Sequence, residues 1–137
     1  MKYFMTALLL IAMSMNPISA KLKSTGKSEK RTITGYLVDM NCASAFMKGA
    51  PNKIEQKAKA HTLACNLDDM CAAAGYAVIS NGVLYTLDGA GNTLALKYCK
   101  SISKKDNIKV EVVGTVGNNN VLAVEDIHDA ADKRGKK

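Results

Sequence analysis

The stretch that most restricts the fold is Tyr76-Ala-Val-Ile-Ser80-Asn-Gly-Val83-Leu-Tyr-Thr-Leu87. Two runs rich in β-branched and aromatic side chains flank Asn81-Gly82, a pair suited to a two-residue type I′ turn because both of its central residues take positive φ. The turn fixes the register, setting Val78 opposite Tyr85 and Ile79 opposite Leu84. An isolated hairpin is marginal in water, so the rest of the chain must supply further strands and an apolar layer.

Strand patterns lie on both sides. Thr32 to Asp39 is rich in β-branched and aromatic residues, with a bend at Gly35, and it ends in Asp39-Met-Asn-Cys42. Asn107 to Val116 alternates Ile108, Val110 and Val112 against Lys109 and Glu111; Gly117 to Asn120 turns the chain, and Val121 to Ile127 returns. Between strands, Thr93 is placed to cap a helix to about Ser103, with Leu94, Tyr98 and Ile102 on one stripe and Ala95 and Cys99 beside it. Asp88 to Asn92 reads as the turn before it. Residues 43–51 read as a loop or a frayed turn, after which Asn52 and Glu55 have the spacing of a capping box. On the helix that follows, His61 and Cys65 are one turn apart and share a face with Ile54 and Ala58. Asp68 can cap a second, short helix whose third residue is Cys71, near a positive dipole end that favours thiolate, and Gly75 closes it.

The order strand, helix, hairpin, helix, strand, strand predicts a mainly β, α+β fold. The expected architecture is a five-stranded OB-like small barrel with two helices; the alternative is an open α+β sheet with its helices on one face. The buried set should include Val78, Ile79, Leu84, Tyr85, Ile108, Val110, Val112, Val124 and Ile127, with Leu94 and Ile102 packed against the sheet.

Residues 1–20 have the layout of a secretory signal peptide: Lys2, an apolar run from Tyr3 to Met15, Pro17, then Ser19-Ala20 before Lys21. The apolar run is shorter than the about 20 residues a membrane span needs, so no stable anchor is expected after cleavage. The formal charge of +7 is concentrated at the ends. Lys21, Lys23, Lys27, Lys30 and Arg31 lie in a linker over 21–31 that lacks periodicity and is expected to be disordered, and Lys133, Arg134, Lys136 and Lys137 lie in a tail over 130–137. The domain between them, 32–129, is slightly acidic. With no Trp, two Phe and no interleaving of aromatic with basic residues, nucleic-acid binding has little support. The expected location is the periplasm or the exterior.

Four cysteines, Cys42, Cys65, Cys71 and Cys99, all lie in the exported part. In an oxidising compartment disulfides are the default, here Cys65 with Cys71 and Cys42 with Cys99. The competing reading is a tetrahedral set for zinc or copper from Cys42, His61, Cys65 and Cys71, with Asp39 holding the far nitrogen of His61. Free redox-active thiols are a third. No hydrolase elbow, His-Glu-x-x-His or phosphate loop appears, so catalysis has weak support.

Gly35, Asp39 and Cys42, then His61-x-x-x-Cys65, Cys71 and Gly75-Tyr76, then the Asn-Gly hairpin, Asp88 to Asn92, and a closing Val112/Val113-Gly114-x-Val116 make up a longer pattern. It resembles a group of small exported bacterial proteins with OB-like domains and no assigned chemistry. The resemblance covers nearly all of residues 32–127 and implies fold and export. Cys99 falls outside it, which leaves three cysteines and one histidine as the matched set. The function these readings imply is a small exported binding or structural module, stapled by disulfides, for a small ligand or an exported protein; the alternative is a metal-binding protein.

Overall fold

The structure, a computed structural model, describes residues 29–130. The expected signal peptide, most of the basic linker and the tail from residue 131 lie outside the described residues. Five strands and five α-helices follow in the order β1 (Lys30–Asp39), α1 (Met40–Met47), α2 (Ile54–Ala60), α3 (Leu63–Leu67), α4 (Asp69–Ala74), β2 (Tyr76–Ser80), β3 (Val83–Leu87), α5 (Gly89–Ser101), β4 (Lys109–Val116) and β5 (Val121–Asp129). Single 3-10 turns occupy Pro51–Lys53 and Asn118–Asn120.

The hairpin forms in the expected register, with Val78 opposite Tyr85, Ile79 opposite Leu84, and φ of 51° at Asn81 and 75° at Gly82. β1 is long enough to serve two neighbours. Its first part, Lys30 to Tyr36, pairs antiparallel with β4, and its last part, Tyr36 to Asp39, pairs antiparallel with β2. β4 pairs antiparallel with β5, and β5 lies parallel to β3 through Thr86↔Val121 and Leu87↔Leu122. The sheet therefore closes in the order β1-β2-β3-β5-β4, and the open-sheet alternative does not hold.

Strand alternation gives this ring two apolar layers. Leu37, Tyr76, Val78, Val110, Val112 and Leu122 point inward and are capped by Ala95 and Cys99 of α5. On the outer side, Val38, Ala77 and Ile79 pack under Ala43 of α1 and Ile54 and Ala58 of α2. Residues 40–74 thus form a helical insertion in which α1 and α2 cover the outer face of β1 and β2, while Leu63 and Leu67 of α3 and Ala72 of α4 pack against the inner cluster. No helix among the described residues is long and apolar enough to cross a membrane.

Several expectations are corrected. β1 starts at Lys30 rather than Thr32, because Lys30 and Arg31 continue the ladder with β4 and Lys30 forms an ion pair with Glu125. The loop expected over 43–51 is largely helical, since Asp39 caps α1 by accepting from the Cys42 N–H. Instead of two helices there are five. The last begins at Gly89, because Asp88 rather than Thr93 is its cap: Asp88 Oδ1 accepts from Gly91 N at 2.8 Å and from Val124 N at 3.2 Å. Its buried stripe is Gly91, Ala95 and Cys99, while Leu94, Tyr98 and Ile102 are only partly buried. Of the expected core, Leu84, Tyr85 and Ile127 are half-buried, and the rest are buried.

Gly91 is where α5 meets β5 most closely. A Cβ there would lie 2.5 Å from Val124 Cγ2 and 2.9 Å from Val124 Cβ. Gly91→Ala gains helix propensity, about 1 kcal/mol, but must displace a stiff, buried β-branched side chain. The net effect expected is a loss of about 1–2 kcal/mol, read as a lower urea midpoint with unchanged slope. An unchanged or raised midpoint would show that the α5–β5 seam has room to spare.

Candidate metal centre

The site forms where β1 runs into the insertion. Asp39, the last residue of β1, is 0 % exposed, and each of its polar groups has a separate task. Its backbone N–H donates to Asn66 Oδ1 at 2.9 Å. Its Oδ1 accepts from Cys42 N at 3.0 Å, so the carboxylate that starts α1 also fixes where the Cys42 side chain departs. Its Oδ2 lies 2.9 Å from His61 Nε2.

The single helix expected to carry both His61 and Cys65 does not exist. The chain leaves helical geometry at His61 (φ −67°, ψ 137°) and Thr62 (φ −95°, ψ 151°), and α3 restarts with Thr62 as its cap, its hydroxyl accepting from Cys65 N at 3.2 Å. Nor does the Asn52–Glu55 capping box form; Asn52 sits in the 3-10 turn after Pro51, and α2 has no side-chain cap. The break brings His61, 6 % exposed, under Phe46, whose ring meets the imidazole edge-on with centroids 5.9 Å apart.

Ligand atoms of Asp39, Cys42, His61 and Cys65 all lie within 4.8 Å of one another, close enough to hold a metal ion. Cys42 Sγ and Cys65 Sγ are 3.7 Å apart. Two sulfurs each about 2.3 Å from a tetrahedral zinc are held about 3.8 Å apart, so the thiol pair already has the bite of such a site. Asp39 Oδ2 and both nitrogens of His61 are buried without a hydrogen-bond partner, although Asp39 and His61 approach to 2.9 Å. Distance alone does not make that pair a hydrogen bond, because the alignment is wrong. A buried carboxylate oxygen beside an unsatisfied imidazole is costly unless a positive charge joins them.

Burial pushes the His61 imidazole below its usual range, against the opposing pull of Asp39, which leaves it in the neutral form that ligates metals. Burial also pushes Cys42 upward, and takes Cys65 and Cys71 each to about 11, with the negative charge of Asp39 adding to the effect. The thiolate expected at Cys71 from the helix dipole is therefore not favoured in the metal-free protein; α4 is six residues long, and desolvation wins.

All four cysteines are free. The Cys42–Cys99 pairing fails because the two residues belong to layers on opposite faces of the sheet. Cys65 Sγ is in contact with Cys42 Sγ at 3.7 Å, and the expected Cys65–Cys71 bridge does not form. The group close enough to hold a metal ion includes Asp39 and leaves out Cys71. His128, at the far end of the chain, is exposed between Glu111 and Asp126.

Asn66 is the functional residue that sequence reasoning missed. Fully buried, it accepts from Asp39 N, donates to Leu37 O at 3.1 Å, and presents its own carbonyl to the Tyr76 hydroxyl at 2.6 Å. It locks α3, and with it Cys65, onto the end of β1. Asn66→Ala leaves the Asp39 N–H and Leu37 carbonyl unpaired in the interior, at a cost of about 2–4 kcal/mol; chemical denaturation should show it, and a change below about 0.5 kcal/mol would mean that these contacts do not hold the junction. Alkylation in denaturant with a chelator should label all four cysteines of the reduced-state fold described here, and two unreactive sulfurs would reveal a bridge.

No family model matches the chain, and comparisons with curated proteins and with solved structures found no match, so the geometry of these side chains carries the functional reading.

Proposed function

We propose that this chain is an exported zinc-binding module built on an OB-like barrel, with Asp39, Cys42, His61 and Cys65 as ligands. The observation that carries the reading is the convergence of two thiols at 3.7 Å with a buried, unsatisfied Asp–His pair. Borderline nitrogen, soft sulfur and one carboxylate oxygen suit Zn²⁺ better than a purely hard cation. Support for the OB-like class comes from the strand order β1-β2-β3-β5-β4, the parallel β3–β5 contact and the helix between β3 and β4. Export rests on the layout of residues 1–20.

The alternative of a module for a small ligand or an exported partner is less well supported. Such a module binds on the face of its second and third strands, and here the outer side of β2, with Leu84 of β3, is packed under α1 and α2. Metal binding instead uses what that cover creates. Each bound thiol must give up its proton, which makes zinc affinity depend on pH, and because the ligands come together only when the insertion is folded, binding also stabilises the fold.

The purified chain should bind one Zn²⁺, or one Co²⁺ with the intense near-ultraviolet absorption of thiolate coordination. Chelation should lower its melting temperature, and His61→Ala should abolish tight binding. A chain that takes up no Co²⁺ at micromolar concentrations would end the reading. The pH dependence has a definite sign. Cys65 keeps its proton up to about 11 in the metal-free protein. Below that range zinc must displace thiol protons, so affinity should rise with pH, by about a hundredfold per unit between about pH 6 and 8 if two thiols release protons. Competition with a chelator of known affinity measures this, and a flat profile would exclude thiolate ligation.

A further inference from the structure

Cys42 and Cys65 occupy the same place on two different helices. Each is the third residue of its helix, α1 or α3, and each has its backbone N–H held by the side chain that caps that helix: Cys42 N–H donates to Asp39 Oδ1 at 3.0 Å, and Cys65 N–H to Thr62 Oγ1 at 3.2 Å. Asn66, next to Cys65, is bonded to Asp39 N and Leu37 O, so the two cysteine backbones are braced against the same end of β1. Between them the thiols touch, Sγ to Sγ at 3.7 Å. A disulfide needs about 2.0 Å, so the sulfurs must close by about 1.7 Å, a movement shared between two side chains. Both residues are half-buried and open to a small reagent, whereas Cys99 is 0 % exposed.

We propose that Cys42 and Cys65 are a reversible disulfide pair that switches the metal centre: reduced, the two sulfurs are ligands, and oxidised, they bond to each other and the site is lost. The proposal rests on the zinc reading of Asp39, Cys42, His61 and Cys65 and adds its redox control. The oxidant is a small external disulfide. One of the two thiols gives up its proton and attacks that disulfide, releasing one small thiol; the other then attacks the mixed disulfide, closing the Cys42–Cys65 bond and releasing the second. Two electrons pass from the protein sulfurs to the oxidant, and two protons end on the two small thiols. Asp39 and His61 are left as one oxygen and one nitrogen, half of a tetrahedral set and too few to hold Zn²⁺ tightly. A bound ion opposes the bridge, because both sulfurs are then engaged, so the oxidant converts the empty chain and spares the loaded one. Burial raises both thiols from their ordinary range, which slows the exchange, so oxidation is read at its end point.

The test exposes the full, metal-free chain to excess oxidised glutathione at about pH 8, traps the remaining thiols by alkylation in denaturant, and reads the mass. Two of the four thiols should be lost, with the chain about 2 Da lighter than its reduced form before alkylation. Cleavage after lysine and arginine leaves Cys42 in residues 32–48 and Cys65 in residues 60–97. The bridge should therefore join these two peptides, and fragmentation should place it on Cys65 rather than Cys71. The oxidised chain should lose the near-ultraviolet absorption of Co²⁺ coordination, and a phosphine reductant should restore it. Cys71→Ala should form the same bridge and, when reduced, keep the Co²⁺ spectrum, which also shows that it is folded. A lasting mixed disulfide with glutathione, a bridge ending at Cys71, or Co²⁺ binding by the bridged chain would each overturn the proposal. A reduced chain that binds Co²⁺ but keeps all four thiols after oxidation would overturn this proposal alone. A reduced chain that binds no Co²⁺ would remove the zinc reading, and the switch with it.

Discussion

The structure depends on one carboxylate at the junction of two architectures. Asp39 ends the longest strand of the ring, caps the first helix of the insertion through one oxygen, and faces His61 with the other. A carboxyl group that is 0 % exposed is tolerated only when its surroundings compensate for its desolvation. Here part of that compensation is local, from the Cys42 N–H, and the rest falls to whatever binds at His61. Fold and chemistry meet in the same atoms: the contact that orients Cys42 is the contact that starts α1.

The insertion explains why so small a domain has a second apolar layer. A closed ring of five short strands buries its inner face with α5, but the outer face of β1 and β2 carries Val38, Ala77 and Ile79, which would be costly to expose. Helices α1 and α2 cover them. Backbone bonds tie the insertion to the segment between α5 and β4, from Leu63 N to Lys105 O at 2.8 Å and from Asn107 N to Lys59 O at 2.9 Å. The cysteines and His61 therefore sit on a braced lattice of short helices, and such bracing keeps ligand atoms in place when the helices themselves are too short to be stable alone.

What could be read from the sequence follows the range of the interactions involved. The hairpin was legible because Asn81-Gly82 encodes its turn locally, and β4 and β5 because alternation survives in a half-solvated strand. Closure of the ring was less accessible: it needs Ile33 beside Val112 and Leu87 beside Leu122, pairings set by global packing. Cys42, His61 and Cys65 were legible as a pattern of soft ligands; the fourth was expected to be Cys71, with Asp39 only holding the far nitrogen of His61, whereas the grouped side chains include Asp39 and leave out Cys71. The break at His61 was not, because helical periodicity continues through it and only the pull of Asp39, Phe46 and the Thr62 cap stops the helix there. Asn66 left little trace, since an Asn between Cys65 and Leu67 looks like a solvent-facing helix residue until β1 is placed beneath it. At Asp88 the capping signal was present, but the glycines at 89 and 91 suggested a turn; the close approach of Val124 is what makes glycine the right residue inside that helix.

The four side chains of the candidate metal centre fall between residues 39 and 65, within one continuous segment, whereas the ring cannot close until β4 and β5 return to β1. That spacing separates two timescales of assembly. A cation joining Cys42 to Cys65 closes a loop spanning 23 positions, a modest entropic step compared with bringing β4 back to β1 across the rest of the domain. The metal would then serve as an early nucleus, ordering the insertion and the end of β1 while the remaining strands are still searching for their partners. If the proposed metal binds there, its supply during folding, and not only afterwards, would affect how quickly the chain reaches its closed form.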